Sequence, residues 1–234
     1  FRSDVMTMFS RYGISDIKKI NRIVITHADA DHCGAAGFFS APVLMHSSTL
    51  EIIRTNNRAY GSRSDHASLD EFYTKMINLF SKFNIPKNVD CLSGPTGAMR
   101  GIFPVIGSAS IGDVELEILD GFSGHTAGQV FLYSRSYGLL FAADSVINFG
   151  SLSQERADYS SLAAFLVTSV NVDSQSAKKE RLGLFELAQE TDAHLASSGR
   201  RCLICGGHGA VSTLENGKLV ITGPVERYEA GKSG

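Results

Sequence analysis

Residues 26–32 read Thr-His-Ala-Asp-Ala-Asp-His and place four potential metal ligands within six positions. The segment directly follows an apolar run at residues 20–25, which is typical of a buried strand. Burying two carboxylates and two imidazoles at the end of a strand is costly unless a partner compensates their charge and polarity. A divalent cation does so most completely. The segment therefore indicates a metal site at the end of a strand.

Three later segments also place ligand-type side chains in Gly-rich or strand-end loops. They are SGHTAG at 123–128, FAAD at 141–144 and CGGHG at 205–209. These segments add His125, Asp144 and His208, which brings the candidate ligands to seven. Four of the chain's seven histidines fall in these segments and in the first one. Histidines scattered over a surface would show no such preference for strand ends, so the pattern indicates one shared metal centre.

The ordered series THADADH, GHTAG, AAD and GGHG resembles the metallo-β-lactamase superfamily, in its glyoxalase II-like branch, over residues 20–209. The resemblance implies an α/β fold, a four-layer αββα sandwich with a dinuclear metal site along one edge of its two sheets. It also implies a single domain over residues 1–234, with a helical insertion at about 47–90.

The start of the chain departs from the family pattern. Family members have several strands before the helix that here begins almost at residue 1, so the first N-terminal strands are expected to be missing. A sheet without them would expose an apolar face and an unpaired edge. We therefore expect a preceding segment or a partner chain to supply these strands.

Carried over residue by residue, the resemblance implies seven ligands: His27, Asp29 and His125 for a first metal, Asp31, His32 and His208 for a second, and Asp144 as a bridge between the two. A carboxylate suits the bridge because it has two oxygens. Asp29 stands where the commonest family motif, HxHxDH, has a histidine, so this chain carries an HxDxDH variant. The added carboxylate hardens the ligand set, which makes iron and manganese competitors of the two zinc ions expected first.

The resemblance implies metal-assisted hydrolysis, in which a metal-bridging hydroxide cleaves an ester, thioester, lactone or phosphodiester. Asp31 is the expected catalytic residue, since it would orient the hydroxide and take its proton. True β-lactamases of the family lack the bridging aspartate, so Asp144 argues against that activity. Thr26 and Thr126 stand next to ligands in the sequence and are candidates to hold their imidazoles.

Two other functions stay open on the same scaffold. The carboxylate at position 29 is similar to the Glu that the diiron branch of the superfamily has there. That branch reduces oxygen or nitric oxide. In this alternative, the chain is an iron-dependent oxidoreductase. A non-catalytic metal-binding member is the other alternative.

Composition and charge exclude several broad classes. The chain is 43% hydrophobic, and its 22 Lys and Arg against 24 Asp and Glu give a formal net charge of −2. Without a basic cluster, binding to nucleic acid or to an anionic membrane is not expected, whereas a small-molecule substrate is. No apolar run approaches the roughly 20 residues that span a bilayer. Four cysteines in a chain of this length favour reduced thiols and a cytoplasmic location, with Cys202 and Cys205 as buried structural residues.

Hydrophobic periodicity predicts mixed helices and strands. Helices are expected at 4–11, 48–58, 160–170 and 176–190, and strands at 20–25, 43–45, 114–118, 130–133, 139–142 and 201–205, with a hairpin at Asn216-Gly217. A further helix is expected to start at an N-cap, Ser68, with Glu71 completing a capping box, and to end at Pro86. Its apolar stripe is expected to pack in the core, with a substrate-lining role as the alternative: Leu69, Phe72, Tyr73, Met76, Phe80 and Phe83.

The polar segment at 58–66 lies in the middle of the expected insertion. A solvated loop between two helices is the favoured interpretation. In the alternative, the segment overhangs the metal site and Arg63 or His66 touches substrate.

Overall fold

The computed structural model describes residues 2–14, 16–62, 64–92, 94–162, 164, 169–222 and 225. Its helices are α1 (Arg2–Arg11), α2 (Ala30–Cys33), α3 (Ser47–Thr55), α4 (Ala67–Phe80), α5 (Gln154–Ser160) and α6 (Ser174–Leu195). Its strands are β1 (Ile23–Val24), β2 (Val43–His46), β3 (Val89–Leu92), β4 (Met99–Arg100), β5 (Phe103–Ile111), β6 (Val114–Asp120), β7 (Val130–Ser134), β8 (Leu139–Ile147), β9 (Leu203–His208), β10 (Ser212–Glu215) and β11 (Lys218–Ile221).

The strands form two sheets. The smaller sheet has the order β1-β2-β3, with all its strands parallel. The larger sheet has the order β11-β10-β9-β8-β7-β6-β5-β4 and is antiparallel except for the parallel pair β8–β9. In the described part of the chain, β1 pairs with β2 alone, so β1 and β3 are the edges of the smaller sheet. The expectation that strands from elsewhere complete this sheet stays a prediction.

Three apolar clusters define the layers. Between the sheets, Leu44 and Leu92 of the smaller sheet meet Ile118 and Val130 of the larger one. The opposite face of the smaller sheet packs against α3, and the opposite face of the larger sheet packs against α6. The layers therefore run helix, sheet, sheet, helix, and the predicted α/β class with αββα order is confirmed.

Local sequence explains the elements that the periodicity predicts best. In β6 the alternation buries Leu116 and Ile118 almost completely. The β10–β11 hairpin turns at Asn216 and Gly217, which both have positive φ angles, as a two-residue hairpin turn of this type requires. At the start of α6, the Asp173 side chain accepts hydrogen bonds from two backbone N–H groups. These elements match the predicted strand, hairpin and helix.

The predicted strand at 20–25 is wrong in its extent. The pairing with β2 is short: the N–H groups of Ile23 and Ile25 donate to the carbonyls of Pro42 and Leu44. A 3-10 helix spans Ile17–Lys19 with Ile20 as its C-cap, and β1 itself has two residues. The predicted helix at 160–170 falls largely outside the described residues, and the helix described next to it is α5.

Helix α4 contradicts two predictions. Its N-cap is His66, and Ser68 lies inside the first turn. Ser64 Oγ accepts a hydrogen bond from the His66 N–H and donates one to Asp70 Oδ2. The helix ends at Phe80, six residues before Pro86.

The prediction that the apolar stripe of this region packs in the core is wrong for three of its members, whereas Phe83 does pack against the apolar cluster beside α3. Leu69, Phe72 and Phe80 are 48%, 67% and 78% exposed. The buried side of α4 carries Asp70 and Thr74, which bond the preceding loop, so the polar face points inward. In the described residues, no helix combines the length and the apolar character needed to cross a membrane.

Candidate metal centre

The first ligand segment begins where β1 ends. Helix α2 starts at Ala30, with Asp29 in an extended conformation at its N-cap. This places Asp31 and His32 in the single turn of α2, while His27 lies in the extended segment before it and is completely buried. One strand end therefore presents all four side chains of the THADADH motif within a few residues.

The second ligand segment contributes His125, which lies in the loop 121–129 between β6 and β7. The carboxylate of Glu180, on α6, accepts hydrogen bonds from the N–H groups of Phe122 and Gly124 at 2.7 and 3.0 Å. A Cβ at Gly124 would overlap the backbone of α6, so only glycine allows this close approach. The other Glu180 oxygen accepts from Ser145 Oγ at 2.7 Å, which joins this loop to the residue after Asp144.

Asp144 and His208 lie on the parallel pair β8–β9. The register of this pair shifts on both sides of Ala143, whose φ of 44° lies in the left-handed region. A non-glycine residue there is strained, which is typical of functional positions. Across the pair, a Cβ at Gly207 would overlap the Asp144 carboxylate. The irregular strand and the missing side chain together make room for Asp144 at the centre of the site.

The candidate ligands converge into two groups. The buried group consists of His27, His125 and Asp144, and the open group consists of Asp31, His32 and His208. Within each group, one ligand atom per residue lies within 4.8 Å of the others. The two groups meet at Asp144, whose Oδ1 is 3.1 Å from His32 Nε2 and whose Oδ2 is 3.5 Å from both His125 Nε2 and His208 Nε2.

Asp29 lies beside the buried group. Its Oδ2 is 3.0 Å from His125 Nε2 and 3.5 Å from Arg58 Nη2. The arginine holds the pKa of Asp29 below its usual range although burial acts in the opposite direction. Asp29 is thus an ionised carboxylate shared between an imidazole and a guanidinium.

Two hydrogen bonds orient rings of the buried group. His125 Nδ1 lies 3.2 Å from Asn171 Oδ1, and His27 Nδ1 lies 3.1 Å from Thr26 Oγ1. Because the Asn171 oxygen is an acceptor, His125 Nδ1 donates this hydrogen bond, and Nε2 is the ring atom that faces Asp29 and Asp144. The predicted contact of Thr26 with an imidazole is therefore present. The hydroxyl of Thr126 is buried without a hydrogen-bond partner in the described part of the chain, so its predicted role is not seen.

The imidazoles differ in their electrostatics. Burial, reinforced by the neighbouring His32, lowers the pKa of His27 to about 3. Burial also acts to lower the pKa of His208, but hydrogen bonds to Asp144 and Asp31 outweigh it and raise the pKa to about 10. Burial would raise the pKa of Asp144, yet its histidine neighbours hold it well below the usual range. The cluster therefore contains ionised carboxylates and one imidazole that stays neutral.

The donor set fits metal ions. His27 Nε2 is fully buried without a hydrogen-bond partner among the described residues, and its nearest carboxylate oxygen, on Asp144, is 3.9 Å away. His32 Nε2 and His208 Nε2 lie 3.3 Å apart with their nitrogen atoms facing each other. A buried imidazole nitrogen without a partner is unfavourable, and a cation between converging nitrogens removes that cost. Nitrogen and carboxylate donors together suit zinc, iron or manganese.

Sequence reasoning missed three residues around this site. The interpretation of 58–66 as a solvated loop is wrong for Arg58, whose side chain is buried beside Asp29. Asn171 and Glu180 carry no motif, and their roles arise from contacts between distant segments. His66 is exposed, and Arg63 lies outside the described residues. Of the expected structural cysteines, Cys202 is buried and Cys205 is partly buried, and neither forms a disulfide.

Known structures resemble this one at low sequence identity. The B3 metallo-β-lactamase BLEG-1 is 18% identical over 89% of this chain and 77% of its own, with a TM-score of 0.45. A metallo-β-lactamase family protein from Thermus thermophilus is 15% identical over 88% of this chain and 60% of its own, with a TM-score of 0.47. Rubredoxin oxygen:oxidoreductase from Desulfovibrio gigas is 14% identical over 87% of this chain and 42% of its own, with a TM-score of 0.41.

No protein-family model and no curated protein matches the sequence. Identities and TM-scores this low say nothing about reaction or substrate, which we therefore infer from this chain's own side chains.

Proposed function

We propose that this chain is a metal-dependent hydrolase that cleaves an ester, thioester, lactone or phosphodiester at a dinuclear centre. The observation that carries the proposal is the convergence of four imidazole Nε2 atoms on the Asp144 carboxylate, with His27 Nε2 left without a hydrogen-bond partner among the residues that the structure describes. A hydrogen-bonded structural cluster would satisfy that buried nitrogen. Metal ligation explains why it is left free.

The two groups would hold one ion each, with Asp144 between them. His27, His125 and Asp29 would hold the first ion, and the open group would hold the second. Two divalent ions supply a nucleophilic hydroxide near neutral pH and polarise the bond under attack. Asp144 Oδ1 lies beside His32, and Oδ2 lies 3.5 Å from both His125 and His208, so the carboxylate contacts both groups and could be shared by both ions.

Asp31 is the residue that we assign to proton transfer. It is the most exposed of the three carboxylates, at 28%, and its Oδ2 lies 3.3 Å from His208 Nε2. A base must reach both the site and solvent to take a proton and release it. Asp29, held by Arg58 and His125, is less free to do so.

Metal content is the first test of this proposal. Protein purified without added metal is analysed by mass spectrometry, and about two equivalents of zinc or manganese per chain are expected. Less than half an equivalent that reconstitution does not increase would contradict the assignment of the ligands.

Turnover is the second test. Generic p-nitrophenyl esters, thioesters, lactones and bis(p-nitrophenyl) phosphate are offered to the metal-loaded protein. Metal-dependent hydrolysis that a chelator abolishes, and that the exposed control Asp113→Asn retains, would support the proposal. No turnover with a fully loaded centre would favour the non-catalytic alternative.

An iron-dependent oxidoreductase is the second candidate, and Asp29 is the observation that favours it. A carboxylate near His125 makes the ligand set harder and better suited to iron than a third histidine would. The same metal analysis distinguishes the two. About two equivalents of iron, together with oxygen-dependent turnover, would place the oxidoreductase first.

A further inference from the structure

Arg58 is a buried cation beside the candidate metal centre. It lies in the loop between α3 and α4, and only 1% of its surface is exposed. Its backbone N–H donates to Thr74 Oγ1 at 3.1 Å, which anchors the loop to α4. Its guanidinium lies over the ring of Tyr73, with Cζ 5.5 Å from the ring centroid. Main chain and side chain are therefore both held in place.

The guanidinium is only partly satisfied by the protein. Nη2 donates to the Val170 carbonyl at 2.7 Å and lies 3.5 Å from Asp29 Oδ2. Nε and Nη1 have no hydrogen-bond partner in the described ranges. Asp29 also bonds His125, so its charge is divided between two neighbours. A buried guanidinium with free N–H groups is costly to keep, which indicates that an acceptor binds there.

The surroundings of Arg58 place this acceptor in the active-site cavity. A cavity of about 50 Å³ is lined by Arg58, Tyr73, Asp29, His125 and Asp144, among others. The arginine therefore faces the same space as the candidate metal ligands. A group bound at Arg58 would be part of the molecule that reaches the centre.

The charges of the site lead to the chemical class of that group. This step rests on the proposed function, because it counts two divalent ions. Three carboxylates, from Asp29, Asp31 and Asp144, oppose the four positive charges of the ions and the one of Arg58. The loaded site then has an excess of two positive charges, and a hydroxide leaves an excess of one. An anionic substrate neutralises that excess in a poorly solvated cavity.

We propose that Arg58 binds an oxyanion of the substrate, a carboxylate or a phosphate ester, and that the hydrolase acts on anionic substrates. Arginine is well suited to this because its planar guanidinium donates several charge-assisted hydrogen bonds and remains charged when buried. The overhanging insertion thus contacts substrate through Arg58.

The test is a calorimetric titration of the metal-loaded protein with inorganic phosphate, after free metal has been removed. Wild type is compared with Arg58→Gln and Arg58→Lys. The matched control is Arg54→Gln, which changes an exposed arginine of α3 paired with Glu51. Metal content and melting temperature are measured for each protein, so a folding or loading defect is seen separately.

We expect Arg58→Gln to keep its metal and to weaken phosphate binding about tenfold or more, as loss of a charge-assisted hydrogen bond does. Arg58→Lys should recover part of the loss, and Arg54→Gln should match wild type. Unchanged phosphate affinity in a loaded Arg58→Gln would overturn the inference. Loss of metal from Arg58→Gln would also overturn it, since Arg58 would then act by holding Asp29. A wild type that binds no metal would instead contradict the proposed function.

Discussion

The buried and the open ligand groups share the Asp144 carboxylate but differ in almost everything else. In the buried group the side chains of His27 and His125 are 0% and 4% exposed. In the open group the side chains of His32 and His208 are 14% and 21% exposed, and that of Asp31 is 28% exposed. The buried rings are oriented by hydrogen bonds from outside the cluster, whereas the open residues contact mainly one another.

This difference suggests a division of roles. A ligand group that is shielded from water and oriented by its surroundings binds its ion tightly and changes little during turnover. A group that faces solvent can receive substrate and exchange protons. In the proposed hydrolase, the buried group would therefore hold its ion structurally and the open group would form the reacting side of the centre.

Substitution of Asp144 is expected to have the largest effect, because its carboxylate contacts histidines of both groups. Asp144→Asn removes the charge that four imidazoles face, three of them within 3.5 Å. We expect loss of most of the bound metal and a fall in turnover of about 1,000-fold or more. Metal analysis and hydrolysis rates measure both effects. If Asp144→Asn kept two ions and its activity, the two groups would not share this ligand.

Asp31→Asn tests the open group alone. We expect the buried group to keep its ion while turnover falls about 100-fold, within the range for removal of a general base. Metal content and kcat are measured in the same preparation, with Asp113→Asn as the exposed control. A change in KM with kcat unchanged would contradict the role of Asp31 in proton transfer. Loss of both ions would contradict the independence of the groups.

Residue types and spacing predicted which side chains converge, and the resemblance divided them between two metals, so their roles as ligands stay a prediction. The THADADH segment is local, and the three later ligands stand in short Gly-rich or strand-end motifs. The αββα order followed from the resemblance, and the Asn216-Gly217 hairpin from its turn residues. Each of these predictions depends on a few neighbouring residues, which a sequence displays directly.

The difference in burial and orientation between the two groups could not be predicted in this way. It depends on Asn171 and Glu180, which reach His125 and its loop from other parts of the chain. The inward turn of Arg58 likewise depends on its bond to α4, whose apolar face predicted the opposite orientation. Strand β5 was missed because Pro104 and Gly107 weaken its strand signal.

Glu180→Gln is expected to destabilise the loop that carries His125, and with it the buried group, without replacing a candidate ligand. The carboxylate accepts three hydrogen bonds and is fully buried, so an amide that replaces one acceptor by a donor should cost about 2 kcal/mol. We expect a melting temperature lower by about 5 °C, together with weaker metal binding at the buried group. Calorimetry measures the melting temperature, and chelator competition measures the metal affinity.

The matched control for Glu180→Gln is Glu186→Gln on the exposed face of the same helix. It should change neither the melting temperature nor the metal affinity. Equal destabilisation by both variants would show that the effect comes from α6 as a whole. A stability loss with unchanged metal affinity would separate the packing of loop 121–129 from the function of His125.

Asn171→Ala should have the smallest of these effects, and it tests the orientation of the buried rings most directly. Removing the acceptor at Nδ1 frees the His125 ring to rotate and to change tautomer, so metal affinity should fall about tenfold at the buried group. Asn171→Asp keeps an acceptor and should restore the affinity, while the exposed Asn21→Ala is the control. If Asn171→Ala weakened the open group as much as the buried one, the orienting bonds would serve the whole centre. The contrast between the two groups would then reflect their exposure alone.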